Sequence, residues 1–159
     1  MACLNKLSLE LSISWELIKE AISSDGEFRL YPRGTSMMPL LREGIDSVLL
    51  KKPEGVSKND IVLYKRSNGQ FVLHRVIKIK NGEYVMCGDN QFRLEYGIRE
   101  ENLLARVSGF WRDDLFVDGE NEEYKKYIKR LPKHRRKIKF KAAISKLKRI
   151  IFGKKNKAE

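Results

Sequence analysis

The sequence predicts a mostly β protein: a coiled antiparallel sheet preceded by an amphipathic helix and followed by a basic helical tail. Three observations carry that prediction. Six short segments rich in Val, Ile, Leu, Tyr and Phe, separated by turn residues, fill positions 27–112. Two Asn-Gly pairs, Asn68-Gly69 and Asn81-Gly82, stand between such segments and predict two-residue hairpins, since both central positions need positive φ. The charge is also lopsided. Residues 125–159 hold 16 Lys and Arg against one acid, so a chain of net charge +12 keeps its first 124 residues at −3. The shift puts a boundary near residue 120, dividing the 159 residues into a body of 1–119 and a tail of 120–159.

The elements follow in order. Leu11, Trp15, Ile18 and Ile22 recur at helical spacing, with Glu16, Lys19 and Glu20 on the other side, and Asp25-Gly26 stops the pattern. A helix over about 11–25 results, with an apolar face suited to covering a sheet. Strands are predicted at Glu27–Tyr31, Ser47–Lys51, Asp60–Lys65, Phe71–Lys80, Glu83–Cys87 and Leu104–Arg112. Along Phe71–Lys80, alternation puts Phe71, Leu73, Ile77 and Ile79 on one face and Val72, His74 and Val76 on the other. In the tail, Phe140, Ile144, Leu147 and Ile151 form a stripe at helical spacing, with Ala143 and Ile150 beside it. Lys137, Lys139, Lys141, Lys146, Lys148 and Arg149 occupy the rest of that circumference.

Composition excludes several classes. With 42% hydrophobic and 34% charged residues, the chain can build one core and is too polar for an integral membrane protein. No run reaches the roughly 18 to 20 apolar residues of a spanning helix. Leu7–Trp15, broken by Glu10 and serines, does not read as a secretory signal. Cys3 and Cys87 make no disulfide framework, which points to a reducing, cytoplasmic setting. Neither His74 nor His134 has a partner at metal-ligand spacing, so no metal site is expected.

Three places have the residue types of acyl-transfer chemistry. Arg33-Gly34-Thr35-Ser36-Met37-Met38-Pro39-Leu40 interrupts the strand pattern as a tight loop. Such a loop can expose the Ser36 hydroxyl while Gly34, Thr35 and Met37 offer backbone amides to a developing oxyanion; its plainer role is a turn. His74 is the one histidine within a predicted strand, and an imidazole there serves as a general base or as a satisfied core residue. Cys87-Gly88-Asp89-Asn90 ends the next strand, placing Asp89 one hairpin from His74. A carboxylate in that place either holds the imidazole in one tautomer or makes an Asp/Asn turn.

Taken in order, the run Gly34-x-Ser36-Met37-x-Pro39, then Asn59–Tyr64, Val72–Val76 and Gly88-Asp89-Asn90, resembles the type I signal peptidases. The likeness is to the branch in which histidine rather than lysine is the base, and it spans about Tyr31 to Arg112. It implies the coiled-sheet peptidase body that this family shares with LexA-type repressors, with Ser36 as nucleophile and His74 as general base. Asp89 matches the first acid of the Gly-Asp-Asn motif, and Glu95 stands where the histidine branch has a second acid, an aspartate. The sequence leaves open which of the two supports His74. Gly34 replaces a serine whose hydroxyl helps the oxyanion hole in many members, leaving that work to backbone donors such as the Ser36 amide. The family's two Gly-Asp pairs appear as Gly44-Ile45-Asp46 and Asn59-Asp60, and its spanning anchor has no counterpart. The implied activity is a cofactor-free serine endopeptidase acting on a precursor or leader peptide.

The tail's apolar stripe flanked by lysines is the pattern of a helix lying in an anionic membrane interface, which would attach the protein peripherally. Nucleic acid is the competing partner, but a regular apolar stripe has no purpose in a phosphate-only contact. The alternative function is a non-catalytic or self-processing LexA-like regulatory or peptide-binding module with a nucleic-acid-binding tail. The self-processing, LexA-like form calls for a helix-turn-helix segment in front, a Ser–Lys pair and usually an Ala-Gly cleavage site, whereas a silent peptide-binding relative stays open because the oxyanion and acid positions deviate from the family's pattern. Here about 30 residues precede the serine loop, His74 holds the lysine position, and Ala-Gly does not occur.

Overall fold

Alternating apolar residues give these short strands buried faces, and pairing them builds one antiparallel sheet in a computed structural model that describes residues 15–152. The strands are β1 (Phe28–Leu30), β2 (Ser47–Lys51), β3 (Ile61–Lys65), β4 (Phe71–Lys80), β5 (Glu83–Cys87), β6 (Glu95–Ile98), β7 (Leu103–Arg112) and β8 (Leu115–Asp118). Their order is β1-β2-β7-β3-β4-β5-β6, with β8 paired to β7. A helix over 15–24, α1, precedes the sheet, and α2 (Glu122–Phe152) follows it. The protein is thus mostly antiparallel β with one helix at each end of the described chain. Leu11 and the side chain of Ile151 lie outside the described residues.

The turns explain the register. Asn81 and Gly82 take φ of 52° and 74°, and Lys80 pairs with Glu83, a two-residue hairpin as predicted. Asn68-Gly69 departs from the prediction. Only Gly69 has positive φ there, and the Arg66 amide closes the loop on the Gln70 carbonyl at 2.8 Å. The connection is therefore a wider loop with a left-handed glycine, the usual alternative to the two-residue turn. Irregular registers at Leu49/Leu50, Leu63/Tyr64, Val76/Lys78 and Tyr84/Met86 add local twist and coil the sheet. The break after Val76 also ends the predicted alternation along β4, and Ile79 is exposed.

The core lies on both faces of the central strands. Ile61, Leu63 and Leu73 meet Ile18 and Ile22 of α1, Met37, Leu40 and Leu41 of the serine loop, and Val48, Leu50 and Phe110 of the sheet. Val62, Tyr64 and Val76 point the other way, toward Met86, Ile98 and Leu103. Burying a branched aliphatic or aromatic side chain contributes about 1.5–3 kcal/mol, so β3, buried at four successive positions, is an anchor of the fold. The Asn121 side chain caps α2 by accepting the Tyr124 amide at 3.0 Å. Tyr124 and Tyr127 pack on the first cluster, and Leu131 is buried. The first turns of α2 therefore belong to the body, although the composition boundary precedes them.

Candidate active site

Ser36 lies on the loop between β1 and β2, and three devices hold that loop. Gly88, just after β5, approaches so closely that a Cβ there would lie 2.6 Å from the Ser36 carbonyl oxygen. Asn90 donates its amide to the same oxygen at 2.8 Å and its side-chain nitrogen to the Thr35 carbonyl at 3.2 Å. Farther along, buried Asp46 accepts the Arg42 amide at 2.7 Å and pairs with the Arg42 guanidinium, which holds its carboxyl below the ordinary carboxylate range. The Gly-Asp-Asn sequence after β5 is thus a bracket for the serine loop: the bare glycine permits contact and the asparagine fastens it.

His74 sits on β4 opposite Val62 of β3, nearly fully buried. Tyr64, two residues along β3, is its diagonal neighbour on the same face. The Tyr64 hydroxyl lies 3.2 Å from His74 Nδ1 and donates to Glu95 Oε2 at 2.8 Å. Glu95 Oε1 is itself 3.2 Å from His74 Nδ1. Arg66 grips the same carboxylate, with Nε on Oε2 at 2.7 Å and a terminal nitrogen on Oε1. The constellation is therefore His74–Glu95, with Tyr64 bridging and Arg66 clamping.

Each charge state has a cause. Burial has the largest effect on His74 and lowers its pKa below the ordinary imidazole value, against the opposing pull of the Glu95 charge. Burial raises the Glu95 carboxyl, but the hydrogen bonds from Arg66 and Tyr64 outweigh it and leave it low, hence ionised. Burial, followed by the Glu95 contact, drives the Tyr64 phenol far above its usual range, so it stays a donor. A neutral imidazole beside an ionised carboxylate is the resting state that a general base requires.

Ser36 and His74 line one cavity of about 260 Å³, together with Pro32, Arg33, Gly34, Met37, Leu41, Glu43, Arg66, Phe71–Leu73 and Gln91. Along this wall β4 pairs with β3 at residues 71–75, whereas its pairing with β5 begins only at Arg75. The other edge of residues 71–74 is thus without a strand partner among the described residues. On the serine side, the Gly34 amide is taken by Glu43 Oε1 at 2.7 Å. The Thr35 carbonyl receives the Met38 amide at 3.2 Å, and the Met37 side chain is buried in the core. Among the described residues, neither the hydroxyl nor the amide of Ser36 has a hydrogen-bond partner.

The other acid goes elsewhere. Asp89, fully buried, forms a bidentate pair with Arg75 at 2.8 and 2.7 Å. It also accepts the Tyr127 hydroxyl at 3.1 Å and an Arg135 nitrogen at 3.2 Å, both from α2. Arg75 reaches the Asn59 carbonyl at 2.6 Å and the Tyr124 hydroxyl at 2.9 Å. Asp89 therefore ties the sheet to α2, and Glu95 is the acid in contact with His74. Sequence reasoning missed Tyr64, Arg66 and Glu43. The period-2 spacing from Val62, opposite the histidine, could have found Tyr64; the other two depend on loop geometry.

In the tail, Phe140, Ile144, Leu147 and Ile150 are exposed, between exposed Lys137, Lys139, Lys141, Lys148 and Arg149. Among the described residues, no helix is long and apolar enough to cross a membrane, and no group of three or more His, Cys, Asp and Glu could hold a metal ion. Comparison with protein-family models and with curated proteins finds no match to this chain.

Proposed function

We propose that the protein is a serine endopeptidase of the signal-peptidase type, cutting a precursor or leader peptide, with Ser36 as nucleophile, His74 as general base and Glu95 as its supporting acid. One observation carries this reading: Ser36 and His74 share a cavity in which the imidazole's Nδ1 is engaged by Glu95 and Tyr64. With Nδ1 so engaged, Nε2 is left to accept the serine proton. Attack by Oγ on the scissile carbonyl gives an oxyanion that the free Ser36 amide can receive, and collapse releases the amine with the proton carried by His74. Water activated by the same imidazole then cleaves the ester. The open edge of residues 71–74 suits an extended peptide added as a strand.

A fluorophosphonate and a peptide library test the proposal together. The expected result is a covalent adduct on Ser36 and library cleavage, both abolished in Ser36→Ala and His74→Ala. Labelling or cleavage that survives both substitutions overturns it.

The second half of α2 supports attachment to an anionic membrane surface. At about 100° per residue, the ladder Tyr124, Tyr127, Leu131, Arg135 and Ile138 that faces the body lies roughly opposite the stripe of Phe140, Ile144 and Leu147. The stripe thus points away from the sheet, flanked by lysines, as an interfacial helix requires.

A further inference from the structure

The cavity holding Ser36 and His74 adjoins two others. It shares Arg66 and Gln91 with a depression of about 560 Å³ between Asn90–Glu95 and Ile138 of α2. That depression shares Phe92 and Arg93 with a third section of about 520 Å³, whose far wall includes Lys139, Ala142, Ala143, Lys146 and Arg149. Linked by these shared residues, the three line up as a groove whose apolar lining includes Phe92, Leu94 and Ile138 and whose basic lining includes Arg93, Lys146 and Arg149. Its inner wall is well fixed: the buried Cys87 thiol lies 3.5 Å from the Gln91 carbonyl and 3.3 Å from that of Arg93. Asp89 and Glu95, the nearest acids in sequence, are already held by Arg75 and Arg135 and by Arg66. Arg93, Lys139, Lys146 and Arg149 are exposed, and among the described residues none has an acidic partner within salt-bridge distance.

We infer that this groove is a substrate exosite that takes an acidic, amphipathic segment of the polypeptide whose scissile bond lies at Ser36. The inference rests on the peptidase reading for the identity of its occupant. Charge complementarity selects an acidic partner, and the walls shared with the Ser36–His74 cavity favour a polypeptide long enough to reach both. A membrane facing the outward stripe would lie on the opposite side of α2.

The test measures binding of a fluorescein-labelled Glu/Leu-rich peptide to the full chain by anisotropy, with a Lys/Leu-rich peptide and a single-stranded oligonucleotide as comparisons. Binding needs no cleavage, so it can succeed or fail independently of the fluorophosphonate experiment. The acidic peptide should bind more tightly than either comparison. Combined Arg93→Glu and Lys146→Glu should weaken it about tenfold, and the neutral pair Arg93→Ala with Lys146→Ala by less, both with unchanged far-ultraviolet circular dichroism. Equal affinity for the acidic and basic peptides overturns the inference. So does tighter binding of the oligonucleotide, or an affinity that neither pair of substitutions changes.

Discussion

At the level of single residues, the Glu95–Tyr64–His74 contacts determine how the proposed chemistry responds to substitution and pH. Glu95→Gln keeps the shape but removes the charge that stabilises the imidazolium, and kcat should fall by about 10²–10⁴ while Ser36 stays accessible to labelling. Tyr64→Phe deletes one hydroxyl shared by His74 and Glu95, and should cost about 1 kcal/mol of stability and about tenfold in kcat. Because burial lowers the His74 pKa, the acid limb of kcat/KM should lie below 6.5, the ordinary value for histidine. The same shift acts on stability with a definite sign. Below 6.5 the unfolded chain takes up a proton at His74 more readily than the folded one, so this site destabilises the fold as pH drops through that range. A His74→Gln variant, followed by urea unfolding across pH, should lose that part of the dependence. Gly88→Ala would put a methyl against the Ser36 carbonyl and should destabilise by about 1–3 kcal/mol, with labelling of Ser36 impaired as well.

At the level of elements, the strands with strong alternation and Asn-Gly neighbours were legible, and β2, β4 and β5 match their predicted limits. β6 and β8 were not. β6 is four residues long and contains Gly97 at φ +74°, which breaks any periodic signal. β8 follows a turn of Asp113 and Asp114, both at positive φ, which lacks the glycine that marks such hairpins. Missing β6 also left the choice between Asp89 and Glu95 open, since only the β5–β6 pairing, Met86 with Glu95, shows which acid the sheet brings to the histidine side. Asp89 instead latches α2 onto β4. Removing it in Asp89→Ala strands Arg75 in the core, and urea unfolding should report a loss of about 3–5 kcal/mol. Hydrogen exchange in residues 122–138 should accelerate in the same variant.

For the whole molecule, charge patterning located the tail but hid its division of labour. Tyr124, Tyr127 and Leu131 have helical spacing yet sit among lysines, so the composition grouped them with the basic amphipathic tail, whereas they pack on the body. A truncation before residue 125 should therefore unfold the sheet. One after residue 139 should keep it folded and lose the sedimentation with anionic vesicles that the full chain should show at low salt. Phe140→Glu with Leu147→Glu should abolish sedimentation in the intact chain.

The carboxylate of Asp89 hangs α2 on the sheet, while its neighbours Gly88 and Asn90 seat the serine. Heat, detergent or any competitor that peels the helix away therefore pulls on the support of Ser36 first. On gradual warming, hydrolytic capacity should vanish at a lower temperature than the sheet's circular-dichroism signal.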